Sequence, residues 1–159
     1  MIWTYWHEEK LPEAVRRSIE GWRRLNPQYE VRILNAVNLG QYLPDIPAGL
    51  QRLGIPKQTD WIRLELLHRY GGVWLDASII LTTSLDWIDK RFEVDGCEFV
   101  GFYLDGYTTS ESYPVIESWF LAAPVGSRFI ADWLALFRRE AVDGETSEYL
   151  RRLRDEGHW

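Results

Sequence analysis

The sequence predicts one α/β domain, residues 1–159, in which a mostly parallel central sheet is flanked by helices. Two observations support this fold class. Short segments rich in β-branched and aromatic residues alternate with longer segments of helical periodicity. One central strand is also apolar on both faces, which is typical of a parallel sheet covered by helices. The composition agrees, because 46% hydrophobic and 26% charged residues are usual for a globular protein.

The first half of the chain predicts two strands and two helices. Val15, Ile19 and Trp22 recur at the spacing of one helix face, whereas Val31 and Ile33 alternate with a polar residue as a strand does. The predicted elements are a strand at 2–6, a helix within 11–27, a strand at 29–35, a short helix at 35–43 and a loop at 44–56.

The second half begins with a predicted helix from Asp60 to Tyr70. Thr59 is placed to cap its start, and Gly71 and Gly72 are placed to end it in the left-handed conformation that glycine tolerates. The remaining predicted elements are strands at 73–81, 97–104 and 117–123 and helices at 127–142 and 146–156.

Charge and cysteine content narrow the possible partners and compartments. The formal net charge is −6 and the chain has no block of consecutive basic residues, so we expect no nucleic-acid partner. The single cysteine, Cys97, suits a reducing compartment. No apolar segment approaches the roughly 18 residues that a membrane span needs. We therefore expect a soluble, cytoplasmic protein, with peripheral association at the inner face of the membrane left open.

A carboxylate follows the most apolar stretch of the chain, in the sequence Val73-Trp-Leu-Asp76. Ligands of open α/β sheets bind beyond the carboxyl ends of the strands, so we expect Asp76 at the edge of such a crevice. A carboxylate there suits Mg²⁺ or Mn²⁺, which take oxygen ligands and bridge a protein to substrate phosphates. Ser78 lies two residues on and, in an extended chain, would project from the same side as a further weak ligand.

Asp60 and Arg63 share one face of the predicted helix, because side chains three residues apart are neighbours. The helix runs antiparallel to the strand that follows it, so both residues should reach the same end of the domain as Asp76. An Asp can accept a hydrogen bond from a ribose hydroxyl, and an Arg can pair with an anionic oxygen. The structural alternatives are a surface ion pair for Asp60 and Arg63 and a turn-forming role for Asp76.

The segment Thr59–Asp86, "TDWIRLELLHRYGGVWLDASIILTTSLD", resembles the signature of capsular polysaccharide synthesis proteins and the related glycosyltransferase family 32 enzymes. That signature is an Asp-x-x-Arg helix, a Tyr-Gly-Gly turn and a hydrophobic strand that ends in an Asp-x-Asp-type motif, here Asp-Ala-Ser. The segments 2–35 and 117–134 are also similar to this family. The resemblance therefore covers nearly the whole chain.

The resemblance implies a GT-A-like (Rossmann-type) fold and a retaining, metal-dependent glycosyltransferase. Such an enzyme would use Mn²⁺ or Mg²⁺ to move a sugar from a UDP- or GDP-sugar to a carbohydrate or lipid-linked acceptor in surface polysaccharide synthesis. By this resemblance Asp60 and Arg63 contact the nucleotide sugar, and Trp6 stacks on the base. Asp76 is the first residue of the metal motif, and Ser78 takes the place of its second carboxylate.

Two further residues are assigned by the same resemblance. Tyr70, in the Tyr-Gly-Gly turn, is assigned to substrate binding, and Glu117 to the catalytic centre as an acceptor-side or nucleophilic group. A surface acid at a strand edge is the alternative for Glu117. The mechanism stays open between a front-face displacement and a covalent intermediate.

Departures from the family pattern leave other functions open. Ser78 stands where relatives usually have an Asp, and the chain ends at "RDEGHW", earlier than the resemblance leads us to expect, with a lone terminal His158 as a further potential ligand. A nucleotide-sugar-binding module without a competent metal centre is therefore the main alternative. A phosphatase-like enzyme with Asp76 as nucleophile ranks last, since it would need a second carboxylate two residues on and a lysine in a matching context.

Overall fold

The computed structural model, which describes residues 1–157, is an α/β fold built on a five-stranded sheet in the order β2-β1-β3-β5-β4. The strands are β1 Ile2–Tyr5, β2 Val31–Leu34, β3 Gly72–Leu75, β4 Val100–Tyr103 and β5 Ile116–Ala123. β1 pairs in parallel with both β2 and β3, whereas β5 pairs antiparallel with both β3 and β4. The sheet is therefore mixed, with β5 alone running against the other four strands, and the predicted α/β class is confirmed.

Five α-helices surround the sheet in the described part of the chain. They are α1 Glu13–Leu25, α2 Ile55–Tyr70, α3 Asp86–Asp95, α4 Arg128–Phe137 and α5 Thr146–Asp155, and a π-helical turn, Arg138–Val142, extends α4. None of the helices within residues 1–157 has the combination of length and apolarity required of a transmembrane segment.

Two hydrophobic clusters cover the two faces of the sheet. The alternation of strand side chains separates them, since Ile2 and Val73 pack with α1 and α3, whereas Trp3 and Trp74 pack with α2 and α4. All four side chains are almost completely buried. The sequence pattern of a central strand that is apolar on both faces thus corresponds to a sheet sandwiched between two helical layers.

Helix α2 is buried around most of its circumference, and seven consecutive residues, Trp61–Leu67, are buried. Two of the seven, Arg63 and Glu65, are charged. Glu65 is compensated by Arg69 at 2.6 Å and by Arg138 at 2.7 Å, so its charge is paired inside the fold. These contacts fix α2 between the sheet and α4 and so fix the position of Arg63.

The start of α2 differs from the prediction. The helix begins at Ile55 rather than Asp60, because Pro56 suits the first helical turn, where its missing N–H costs nothing. Thr59 is therefore not the cap but lies inside the helix, where its hydroxyl donates to the carbonyl of Ile55 at 2.9 Å.

Two predictions after α2 are also wrong. The strand predicted at 73–81 ends at Leu75, because a turn closed by the N–H of Ile79 and the carbonyl of Asp76 (2.9 Å) follows it. Helix α3, at Asp86–Asp95, was not predicted from the sequence. Ile88 is the one fully buried residue of α3, so the helical periodicity of this segment is weak.

The glycines that end α2 adopt positive φ, as predicted. Gly71 has φ 63° and Gly72 has φ 101°. A Cβ on Gly71 would lie 2.6 Å from the backbone nitrogen of Val125, and one on Gly72 would lie 2.6 Å from the carbonyl oxygen of Met1. Both the backbone conformation and the close packing of neighbouring backbone therefore require glycine here.

We predict that Gly71→Ala lowers the free energy of unfolding by about 3 kcal/mol, because it adds both left-handed strain and a steric clash. Gly96→Ala is a matched control, since Gly96 has φ 65° but nothing within 4 Å of the added Cβ. This control should cost only about 1 kcal/mol. Urea denaturation measures both, and equal losses would contradict the packing argument.

Candidate functional site

A cavity of about 640 Å³ opens beyond the carboxyl ends of the parallel strands β1 and β3. It is lined by residues 5–8, which end and follow β1, residues 76–78, which follow β3, the N-terminal half of α2, and Ser118 of β5. This is the edge where ligands bind in open α/β sheets. The sheet topology thus brings together segments far apart in the sequence.

Arg63 lies between two carboxylates at this cavity. Its Nη2 is 3.2 Å from Oδ1 of Asp60 and 3.4 Å from Oδ1 of Asp76, and its Nη1 donates to the carbonyl of Ser118. The Arg63 side chain is only 6% exposed, whereas those of Asp60 and Asp76 are 35% and 36% exposed. The structure therefore brings Asp60, Arg63 and Asp76 together, as their helix and strand positions predict.

Two features of Arg63 bear on ligand binding. Its guanidinium carbon lies 5.2 Å from the ring centroid of Trp74, so the charge also rests on an aromatic face. Its Nε is buried and has no hydrogen-bond partner among the described residues. A buried donor without a partner is costly, and an anionic ligand in the cavity would offer it an acceptor.

The carboxylate of Asp76 is held in one orientation. Nε1 of Trp74 donates to its Oδ1 at 2.8 Å, and the backbone N–H of Asp76 donates to the carbonyl of Trp119 at 2.9 Å. Contacts with Trp74 and Arg63 thus converge on Oδ1 and leave Oδ2 for a ligand. A fixed, half-exposed carboxylate is suited to binding a cation at the cavity.

The pKa of Asp60 is raised above the ordinary value for aspartate. Burial is the largest cause, and the nearby Asp76 carboxylate adds to it, while Arg63 and Lys57 act in the opposite direction. One guanidinium is thus shared between two carboxylates, and it does not fully offset the cost of placing Asp60 in a partly desolvated position.

Ser78 and Trp6 also line the cavity. The extended conformation that was expected to place Ser78 on the same side as Asp76 is wrong, because residues 76–79 form a turn. The turn nevertheless leaves Ser78 exposed at the cavity next to Asp76 in the chain. Trp6 is half-buried directly after β1, with one part packed against the α1–α3 side of the core.

Tyr70 and Glu117 are the two predicted site residues that the structure does not bring into the cavity. Tyr70 lies ten residues along α2 from Asp60, about 15 Å away along the helix axis. Its hydroxyl donates to the carbonyl of Tyr42 at 2.8 Å, and its ring packs 5.4 Å from that of Trp3. The next residue on β5, Ser118, lines the cavity, whereas Glu117 does not.

The sequence analysis missed His7 and its partner Tyr5, which also line the cavity. The Tyr5 hydroxyl is 2.9 Å from Nδ1 of His7, and burial, with a smaller effect from Glu8, raises the pKa of Tyr5. The available signal was the predicted parallel sheet, because residues that directly follow neighbouring parallel strands meet at one edge; the pairing of β1 with β3 itself is seen only in the structure.

The donor set is compatible with a cation that is shared with a substrate. Within residues 1–157, no three His, Cys, Asp or Glu side chains are grouped so that they could hold a metal by themselves. Mg²⁺ is commonly bound through one or two carboxylates together with substrate phosphates and water. Asp76 and the Ser78 hydroxyl fit that mode of binding, while His158 lies outside the described residues.

The fold resembles that of a solved glycosyltransferase. It is similar to the PaToxG glycosyltransferase, with a TM-score of 0.60 over 88% of this chain and 60% of that chain. The sequence identity is 16%, so the likeness concerns the fold alone. The chain has a GT-A-like glycosyltransferase fold, as the sequence resemblance implied.

The sequence comparisons identify the family. The model of the capsular polysaccharide synthesis protein family matches residues 1–139, and the chain belongs to that family. It is 30% identical to the O-glycosyltransferase braB of Annulohypoxylon truncatum over 92% of this chain and 38% of that protein. It is also 30% identical to the glycosyltransferase afumC of Aspergillus fumigatus over 92% of this chain and 41% of that protein. The chain thus spans about two-fifths of the length of these relatives.

The raised pKa of Asp60 makes stability depend on pH. The folded protein holds this proton to higher pH than the unfolded chain does, so the stability contribution of Asp60 is fully present below the ordinary Asp pKa and decreases as pH rises through the raised value. Asp60→Asn removes this dependence. As the pH rises from about 4 to about 7, the free energy of unfolding measured by urea denaturation should therefore increase for the variant relative to the wild type.

Asp132→Asn, on an exposed position of α4, controls for the loss of a carboxylate elsewhere. A stability difference for Asp60→Asn that shifts towards the wild type with rising pH would contradict the assigned direction.

Proposed function

We propose that this chain contains the donor-binding and catalytic centre of a glycosyltransferase that moves a sugar from a nucleoside diphosphate to an acceptor hydroxyl. The observation on which this rests is the buried Arg63 between Asp60 and Asp76, at the strand-end cavity. Family membership supports this reaction, and the relative braB, an O-glycosyltransferase, supports an oxygen acceptor.

The donor is a UDP- or GDP-sugar. Arg63 provides a buried positive charge with an unpartnered Nε, which favours an anionic group such as a diphosphate. Asp60 accepts hydrogen bonds from hydroxyls of the ribose or the transferred sugar. Trp6, at the edge of the cavity after β1, offers an aromatic face to the base.

Asp76 and Ser78 are the groups that would hold Mn²⁺ or Mg²⁺ together with the donor. When bound, such an ion neutralises the charge that develops on the departing diphosphate. The chain itself orients the cation ligand, because Trp74 and the backbone contact to Trp119 hold Asp76 in place.

In the reaction, the acceptor oxygen forms a bond to the anomeric carbon while the bond from that carbon to the diphosphate oxygen breaks. The electron pair leaves with the diphosphate, which also takes the hydroxyl proton. Retention of configuration is compatible with a front-face displacement or a covalent intermediate. Glu117, which the sequence assigns as an acceptor-side or nucleophilic group, does not line the cavity, and this favours the front-face route.

The family description suggests a carbohydrate or lipid-linked glycan of surface polysaccharide assembly as acceptor. An acceptor on a lipid carrier would be met at the cytoplasmic face of a membrane. Donor binding can be tested without knowledge of the acceptor.

We predict that Asp76→Ala removes the enhancement of nucleotide binding by Mn²⁺ and lowers donor-sugar hydrolysis on the order of a hundredfold. The physical reason is the loss of the fixed carboxylate beside the diphosphate. Calorimetry with UDP and GDP, with and without Mn²⁺, and a hydrolysis assay measure the two effects. Asp132→Ala is the control, and unchanged turnover in Asp76→Ala would refute the assignment of Asp76.

We also predict that Arg63→Lys weakens binding of the matching nucleotide sugar by about tenfold or more, because lysine keeps the charge but cannot contact both carboxylates and an anion as a planar fork. Arg91→Lys, an exposed position on α3 that is paired with Asp95, is the matched control. Titration calorimetry gives both affinities. Equal affinity of the Arg63→Lys protein and wild type would show that Arg63 does not contact the donor.

A nucleotide-sugar-binding module without catalysis is the second candidate. Ser78 in place of a second carboxylate, and the lack of a three-residue metal cluster within residues 1–157, favour it. The same titrations distinguish the two functions. Nucleotide binding that is indifferent to Mn²⁺, without any donor hydrolysis, would establish the module.

A further inference from the structure

A second cavity, of about 350 Å³, lies between α4, α5 and the first turn of α2. We define it as the α4–α5 groove, after the apolar side chains that line it. They are Trp133, Leu136 and Phe137 of α4 and Tyr149 and Leu150 of α5. Its lining is predominantly apolar, in contrast to the charged centre of the 640 Å³ cavity at the strand ends, which we call the donor cavity after its proposed ligand.

The α4–α5 groove is connected to the donor cavity through Asp60. A small cavity of about 130 Å³ lies between them and shares Asp60, Arg63 and Ser118 with the donor cavity and Trp133 and Phe137 with the groove. Asp60 lines all three spaces. A ligand in the groove and a sugar in the donor cavity would therefore meet at the Asp60 carboxylate.

The polar groups of the groove are already compensated by neighbours. Glu140 pairs with Arg139 and Arg152, each at 2.8 Å. Nζ of Lys57 donates to the Thr146 hydroxyl at 3.0 Å. A ligand would thus gain little from an ionic group and much from contact with aromatic and aliphatic surface.

We propose that the α4–α5 groove binds the acceptor, and that the acceptor has an apolar carbon skeleton with a hydroxyl group that reaches Asp60. This inference rests on the proposed function for the donor and the reaction, and it replaces the carbohydrate acceptor that the family name suggests with an apolar one. A carbohydrate in the same position would face mostly apolar side chains, and its hydroxyls would lose their hydrogen bonds to water.

Asp60 acts as a positioning group for this acceptor. Its carboxylate accepts a hydrogen bond from the acceptor hydroxyl and directs the oxygen towards the anomeric carbon. That oxygen then forms the new bond as the bond to the diphosphate breaks, and the hydroxyl proton leaves with the diphosphate. Asp60 lies between the apolar groove and the charged donor cavity. It is partly desolvated there, and this burial raises its pKa.

The test fills the groove without disturbing the core. Leu150 is 40% exposed, so Leu150→Trp adds bulk at the surface of α5, and Leu150→Asp adds charge without bulk. Val94, which is 79% exposed near the end of α3 on the other face of the sheet, provides the matched controls Val94→Trp and Val94→Asp. Circular dichroism confirms that each variant is folded.

Equilibrium dialysis of the full chain measures the affinity for 2-naphthol and 1-octanol, two apolar alcohols, and for maltose as a carbohydrate. Wild type and both Val94 variants should bind the apolar alcohols equally and more tightly than maltose. Both Leu150 variants should bind them at least tenfold more weakly. The affinity for UDP and GDP should be the same in all five proteins.

Failure of this inference and failure of the proposed function give different results. If wild type binds neither apolar alcohol, if it binds maltose more tightly, or if the Leu150 variants bind the alcohols as wild type does, the groove assignment is overturned while nucleotide binding stays intact. If wild type binds neither UDP nor GDP, the proposed function itself is overturned, and the acceptor assignment fails with it.

Discussion

The buried guanidinium of Arg63 is the constraint on which the rest of the site depends. A permanently charged group that is 6% exposed is stable inside a fold only when it is paired. Asp60, Asp76 and the carbonyl of Ser118 supply that pairing from α2, the end of β3 and β5. These contacts fix the rotation of α2 relative to the sheet. They also leave two half-exposed carboxylates at the edge of the donor cavity.

Helix α2 combines this site with a second buried charge, Glu65, which is held by Arg69 and Arg138. The two charged residues are two positions apart, so they lie on different sides of the helix, one towards the strand ends and one towards the end of α4. Apolar packing around them lowers the local dielectric constant. Each buried charge must therefore keep its partners at hydrogen-bonding distance, because an unpaired charge would be costly there. The donor cavity and the α4–α5 groove therefore share one rigid element, and Asp60 is the residue at which they meet.

Much of the candidate site was predictable from local pattern. The spacing of Asp60 and Arg63 and the direction of a helix that precedes an antiparallel strand were sufficient to place them beside Asp76. Tyr70 and Glu117 do not line the cavity, and motif membership could not foresee this because it says nothing about which end of a helix, or which side of a strand, faces a cavity. His7 was missed because its role depends on the pairing of β1 with β3, across about seventy residues of chain.

The sequence by itself determined the fold class and the turn at Gly71 and Gly72, since these follow from periodicity, short-range spacing and the conformational freedom of glycine. The family followed from the resemblance of its motifs. Only the tertiary structure decided that β5 runs against its neighbours, that β3 stops at Leu75, and that an apolar groove adjoins the donor cavity. The physical reason is that the spacing of side chains along the sequence depends only on the local conformation of the chain. Strand partners and cavities instead arise from contacts between segments that the chain order does not bring together.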